Sequence, residues 1–262
     1  MKKIFTLVLV LAAFVISAAS AFAQDATTPS VKDSKSAKCE NSFTVETGVL
    51  TQYLEIETAE VYHRKPVVQT ELTYERCGNK RTSYGFTAWT SASITERNPS
   101  GATELDVLGF VNTKLTDKVN LYVDAGVFFY PENFKIYKAN VTLSRSFELS
   151  ETVEGTLSNS FSVYKTNDST STSGVINRVS MDFEKSLSKG TLTISPSFSL
   201  DNNPFSLGSG KVVGMARLYG RYDIPISKKV DFFVMGGISS PVFGDTDRKF
   251  RKVGGVGLVI RF

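Results

Sequence analysis

Beyond its first 23 residues the sequence has no run of about 18 apolar residues. That excludes a helical membrane protein, whose spans need such runs. Histidine is nearly missing: His63 is the single one, beside two cysteines, Cys39 and Cys77. One histidine and two separated cysteines do not make a zinc site. Charge of one sign is scarce as well, with a formal net charge of +4. No basic patch is interleaved with base-stacking aromatics, which argues against a nucleic-acid partner. What is abundant is glycine and phenylalanine, nineteen of each. Together with many Tyr, Ser and Thr this favours strands over helices.

Residues 1–23 read as a secretory signal peptide. Lys2 and Lys3 form the charged start, Ile4 to Ile16 the apolar stretch, and Ala21-Phe-Ala23 the cleavage site. The alternative, a transmembrane anchor, suits a longer run. Losing Lys2 and Lys3 takes the charge from +4 to +2. Residues 24–41 are polar and poor in apolar side chains, as a flexible periplasmic lead-in is. From Ser42 to Phe262 segments of period two follow one another between turn-rich breaks, enough for one all-β domain.

Twelve strands are expected, over 43–52, 67–76, 82–95, 104–115, 119–130, 134–147, 153–165, 175–184, 191–200, 211–224, 230–240 and 252–262. Each approaches the roughly 9–11 residues of a tilted membrane strand. The odd connections are 53–66, 96–103, 131–133, 166–174, 201–210 and 241–251. The even ones are 77–81, 116–118, 148–152, 185–190 and 225–229. Apart from Pro131-Glu-Asn133, every odd connection is longer than any even one. Long loops outside and short turns inside are the asymmetry of a transmembrane antiparallel up-and-down β-barrel.

The two faces differ. Leu121, Val123, Ala125, Val127 and Phe129 alternate with Asn120, Tyr122, Asp124, Gly126 and Phe128. Alternation alone does not say which face is outward, but aromatics do. On the apolar parity Phe43, Tyr74, Tyr84, Phe147, Phe183, Tyr222, Phe232 and Phe262 fall near expected periplasmic ends. Phe129, Tyr137, Phe161 and Phe198 fall near external ends. Two aromatic girdles about an aliphatic band suit a bilayer. Arg145, Asn177 and Asn159 fit this face badly. Asn159 suggests a bulge, a shifted register or an oligomer contact, and Pro196 a local irregularity.

The other parity carries Glu46, Glu71, Asp106 and Asp124 on strands 1 to 5. On strands 8, 10 and 12 it carries Arg178, Arg217, Arg221 and Arg261. We expect these to line a lumen, with acid on one wall and base on the other. They either set selectivity in a narrow pore or pair and fill it as a plug, helped by Trp89, Phe110, Tyr122 and Phe233. Cys39 lies just before strand 1 and Cys77 just after strand 2, neighbouring points on the periplasmic rim. Export permits a disulfide between them; two free thiols are the alternative.

Catalysis is poorly provided for. His63 in Val61-Tyr-His-Arg-Lys-Pro66 has no recognisable partner motif, and we assign no catalytic residue, cofactor or metal. Asp201-Asn-Asn203 and Asp245-Thr-Asp247 carry oxygen ligands but lack an EF-hand spacing, and read as solvated loop polarity.

The last stretch, Val253-Gly-Gly-Val-Gly-Leu-Val-Ile-Arg-Phe262, alternates an apolar parity with a small one and finishes on an aromatic. This resembles the C-terminal signature of bacterial outer-membrane β-barrels, in which the final strand closes on the first. The resemblance implies an insertion signal at Phe262, with outer-membrane lipid and the barrel-assembly machinery as partners. Gly48-Val-Leu-Thr-Gln-Tyr53, Pro66-Val-Val-Gln69 and the Tyr84-Gly-Phe86 to Trp89 strand resemble the small porins of the TorF-like group. An Arg-Gly expected after the first strand is not evident. That likeness covers the first quarter of the chain and implies passive diffusion of small hydrophilic solutes.

Overall fold

The computed structural model describes residues 41–54, 61–95, 103–167, 174–202, 212–244 and 250–262. The expected signal peptide, the lead-in up to residue 40, Cys39, Asn203 and the Asp245–Asp247 cluster lie outside the described residues.

All twelve expected strands are present. They are β1 (Ser42–Leu50), β2 (Val67–Cys77), β3 (Thr82–Ser93), β4 (Glu104–Lys114), β5 (Val119–Phe129), β6 (Lys135–Ser150), β7 (Val153–Thr166), β8 (Gly174–Leu187), β9 (Gly190–Asp201), β10 (Val213–Pro225), β11 (Val230–Phe243) and β12 (Arg251–Arg261). Each pairs antiparallel with its chain neighbours, and β1 pairs with β12, so the sheet is a closed barrel. Closure leaves no edge with unpaired backbone groups, the condition for crossing a bilayer with strands. A short ribbon in the first loop pairs Tyr53–Leu54 with Val61–His63.

The connections at one end, 78–81, 115–118, 151–152, 188–189 and 226–229, are now all shorter than those at the other. Residues 131–133 cease to be an exception. They form a 3-10 turn within the connection 130–134, with Asn133 in the left-handed region at φ 62. Side chains seal the short turns. Asn79 Oδ1 accepts from the amides of Arg81 and Thr82 at 2.8 and 2.9 Å. The hydroxyls of Thr116 and Ser227 accept from Val119 N and Val230 N at 3.0 and 3.1 Å. Such local acceptors stabilise tight turns.

The apolar parity faces outward. Val107, Val111, Val123, Val141, Val163, Leu218 and Val256 are exposed in the band, and Tyr84, Phe129, Tyr137, Phe161 and Phe198 nearer the rims. At the closing seam Phe262 N donates to Phe43 O at 3.0 Å, and the two rings lie 5.6 Å apart. Asn159 and Asn177 do sit on this face, but the β7–β8 register runs without a shift. Neither a bulge nor a slipped register accounts for Asn159. Asn177 Nδ2 donates to Asn159 Oδ1 at 3.4 Å and to Ser160 O at 3.2 Å, so the two misfits partly satisfy one another. The β8–β9 ladder is interrupted opposite Pro196, between Ser180↔Ser197 and Phe183↔Ile194, as expected where a ladder donor is missing.

Candidate functional site

The inward parity forms a lumen with two tiers. Toward the loop end it is packed. Leu50, Val67, Val213, Met215 and Val253 cluster on one side, with Trp89, Tyr219 and Met235 against them. Phe128, Ile136, Tyr164 and Ile176 cluster on the other, with Leu108, Tyr130 and Phe134. Several polar groups in this half are buried with partners. Asn140 Nδ2 donates to Asp124 Oδ2 at 2.7 Å, and Ser162 Oγ donates to Asn140 Oδ1 at 3.0 Å. Lys138 Nζ lies 3.8 Å from Asp124 Oδ1 and about over the Phe128 and Tyr164 rings, 5.8 and 6.0 Å from their centroids. Arg217 Nη2 donates to Ser199 Oγ at 3.1 Å.

Toward the short-turn end the wall holds a cavity of about 720 Å³ between β8–β12 and β1. Short side chains make the room. Thr191, Thr193, Ser195 and Ser197 are the inward residues of β9 here. A second cavity of about 210 Å³ continues toward the loop end and shares Glu46, Tyr219, Arg221 and Met235 with the first.

Arg221 stands at that junction, held by a stack that begins with glycine. Gly48 and Gly257 are register partners in the β1–β12 seam. A Cβ at Gly257 would lie 2.5 Å from Phe233 Cζ and 2.2 Å from Thr47 O. Bare glycine therefore lets the Phe233 ring lie against the wall. The Arg221 guanidinium carbon sits 4.1 Å from the centroid of that ring. From there Nη1 reaches Glu46 Oε1 at 2.8 Å, across β11 and β12. Nε donates to Asp223 Oδ2 at 2.9 Å and Nη2 to Asp223 Oδ1 at 2.8 Å, a two-pronged grip. Nearer the rim, Arg261 Nη2 pairs with Asp231 Oδ2 at 2.6 Å.

The structure brings Glu46, Arg178, Arg221 and Arg261 to the larger cavity and Glu71 to the smaller. Asp106, Asp124 and Arg217 are buried in the packed tier instead. The expected division into an acidic and a basic wall does not hold. Lys138 lies beside Asp124 on the acidic side, and Asp182, Glu184, Asp201, Asp223 and Asp231 share the strands of the arginines or adjoin them. Arg221 and Arg261 take their carboxylate partners from the same side of the barrel, because a short contact outweighs a distant one across a wet lumen. Asp201 is likewise buried at the end of β9, rather than solvated in a loop, and Asn202 Oδ1 accepts from Val175 N at 2.8 Å. The omitted carboxylates all lie on the inward parity, so the alternation that pointed to Arg221 could have found them.

Cys77 ends β2 at the short-turn rim, and among the described residues there is no free cysteine. No cluster of three metal-ligating side chains occurs among the described residues.

No family model and no curated protein matches the chain. Solved structures do. An outer membrane channel from Pseudomonas putida F1 is 9% identical with a TM-score of 0.57, covering 89% of this chain and 100% of that one. The beta domain of the Bordetella autotransporter BrkA is 11% identical with a TM-score of 0.55, over 85% and 99% of the two chains. The NanC porin is 10% identical with a TM-score of 0.51, over 83% and 98%. At these identities the likeness is one of fold. The chain has the closed antiparallel fold of a porin-like bacterial outer-membrane β-barrel, and its apolar exterior suits that membrane. The short-turn end, which also holds both ends of the barrel sheet, is accordingly the periplasmic one.

Proposed function

We propose that the barrel is an outer-membrane channel for passive diffusion of small hydrophilic solutes. The observation that carries this reading is the polar cavity of about 720 Å³ in the periplasmic half, continued past Arg221 by the narrower one. Its size is that of a small-molecule site, and its wall of hydroxyls and charges suits hydrated solutes rather than lipid. Glu46, Glu71, Arg178, Arg221 and Arg261 are the groups such a solute meets in these cavities. Asp106, Asp124 and Arg217 lie further along its path, in the packed tier.

A second reading has its own support. The packed loop half, where Val67, Val213 and Met215 have no exposed surface, suits a plugged barrel whose external loops contact ligands or partners. Planar-bilayer recording of heat-modifiable, folded protein separates the two. Stepwise current is expected from the channel; its absence sinks that reading in favour of the plug.

Three rim features complete the proposal. A Cys39–Cys77 bond clamps the first hairpin, which a thiol titration before and after reduction tests. Phe262, packed on Phe43, acts as the insertion signal read by the assembly machinery. Deleting it is expected to lower assembly more than the conductance of molecules that do assemble. The leader over residues 1–23 is removed on export, which the N-terminal sequence of the protein purified from outer membranes would reveal.

A further inference from the structure

We propose that the lumen admits cations in preference to anions, and that Asp182 and Glu184 on β8 are the specificity-determining groups of its periplasmic half. This deepens the channel reading and rests on it. The chain as a whole is positive, +4, yet the wall of the larger cavity has the opposite sign. Five carboxylates, Glu46, Asp182, Glu184, Asp223 and Asp231, face it against three guanidiniums, Arg178, Arg221 and Arg261.

The pairings decide which charges a passing solute meets. Arg221 is engaged by Glu46 and Asp223, and Arg261 by Asp231. Both cations are thereby spent on wall carboxylates. Asp182 and Glu184 make no ion pair among the described residues and keep solvent contact, Glu184 being exposed. Arg178, the remaining cation, lies four residues from Asp182 along the same strand, roughly 13 Å away at strand rise. It therefore stands toward the loop end and leaves the two acids unopposed near the periplasmic mouth. The hydroxyls of Thr193 and Ser195 on the adjoining strand add oxygen to the same wall.

The loop half also carries carboxylates on its inward face, Glu104, Asp106, Asp124 and Asp201, beside Arg217 and Lys138. The surplus of base lies elsewhere, much of it on the turns, where Lys80, Lys118, Lys189, Lys228 and Lys229 are exposed. Salt screens such rim charges over about 8–10 Å, whereas a confined, low-dielectric wall focuses the field of its own carboxylates. Carboxylates lining a lumen are a general means of favouring cations.

The test places a reporter thiol in the cavity of the full barrel, by Ser195→Cys, and compares its modification by two methanethiosulfonates of similar size. One carries a trimethylammonium, the other a sulfonate. At low salt the cationic reagent is expected to be favoured by about tenfold over the ratio seen with a free thiol. Asp182→Asn with Glu184→Gln, or high salt, should bring the ratio back toward the free-thiol value. An equal or anion-favoured ratio at low salt overturns the proposal, as does a cation preference unchanged by the double substitution. Ser197→Cys, in the same wall, serves if the first variant does not fold. Bilayer current under a KCl gradient is recorded on the same protein. A reversal potential favouring chloride also overturns the proposal while leaving the channel intact. Zero current with a cation-favoured thiol ratio removes the channel reading and leaves charge selection by the cavity standing.

Discussion

Toward the loop end, Val67, Val213 and Met215 have no exposed surface, and Ile136, Ile176 and Tyr164 almost none. Toward the periplasmic end, on inward faces of the same strands, Glu184 and Arg261 are exposed around a cavity of about 720 Å³. The contrast comes from side-chain volume. A twelve-stranded barrel encloses more space than small side chains fill. In the outer half Met, Ile, Tyr and Phe pack into two clusters on the inward face. In the inner half β9 contributes only Ser and Thr, while arginine is pulled against the wall by its carboxylates. Both halves obey the same inside–outside alternation, so a polar lumen is not a single environment.

The largest expected effect comes from placing one charge in each half. Met215→Asp would bury an unpaired carboxylate in the packed tier, and we expect loss of the folded, heat-modifiable band on unboiled gels. Ser195→Asp adds the same group to the wet cavity and should keep that band. Equal tolerance of both would erase the distinction between the tiers.

Milder truncation comes next. Met215→Ala or Ile136→Ala is expected to cost about 2–5 kcal/mol, against about 0.5 kcal/mol or less for Ser197→Ala. Urea unfolding followed through Trp89, the single tryptophan, which packs on the Met215 cluster, would measure both. Arg221→Gln probes the border between the halves. It removes the ring contact and half-exposed ion pairs, an effect of about 1–2 kcal/mol. It should alter single-channel current more than Met215→Ala alters it per unit of stability lost, because Arg221 stands where the cavity narrows. Last is a control that touches neither half. Asn159→Leu should cost about 0.6 kcal/mol through its lost partner on the lipid face. Joint replacement of Asn159 and Asn177 by Leu should come back to near zero; an additive loss in that double-mutant cycle would deny the pair.

Much of the fold was legible because barrel physics writes itself into period two. Each strand is bounded by turn residues, and each face must be either lipid-compatible or not, so the twelve strands and their outward side followed from alternation and aromatic placement. The boundaries at the rims were less legible. β8 runs to Leu187 and β11 to Phe243, beyond 184 and 240, because backbone pairing continues where the apolar pattern has ended. Asn159 looked like a defect, since alternation ranks residues one at a time and cannot show that Asn177 is its neighbour across the ladder. The lumen was legible only as a set of inward residues. Asp182, Glu184, Asp223 and Asp231 share the inward parity of Glu46, Arg178 and Arg221, and counting them turns two opposed walls into one mixed wall.

What the sequence determined alone is the architecture: strand number, which face meets lipid, and which end carries the long loops. Those depend on periodicity and composition, which are local. Only the tertiary structure decided how charges pair and where the lumen is full. Arg221 and Glu46 are 175 residues apart, and they meet because β1 closes on β12 and two glycines let Phe233 lie against the wall beneath the guanidinium. Height along the barrel axis, and hence whether an inward side chain is packed or wet, depends on what converges from the opposite wall. Pair interactions of that range leave no local period for a sequence to display.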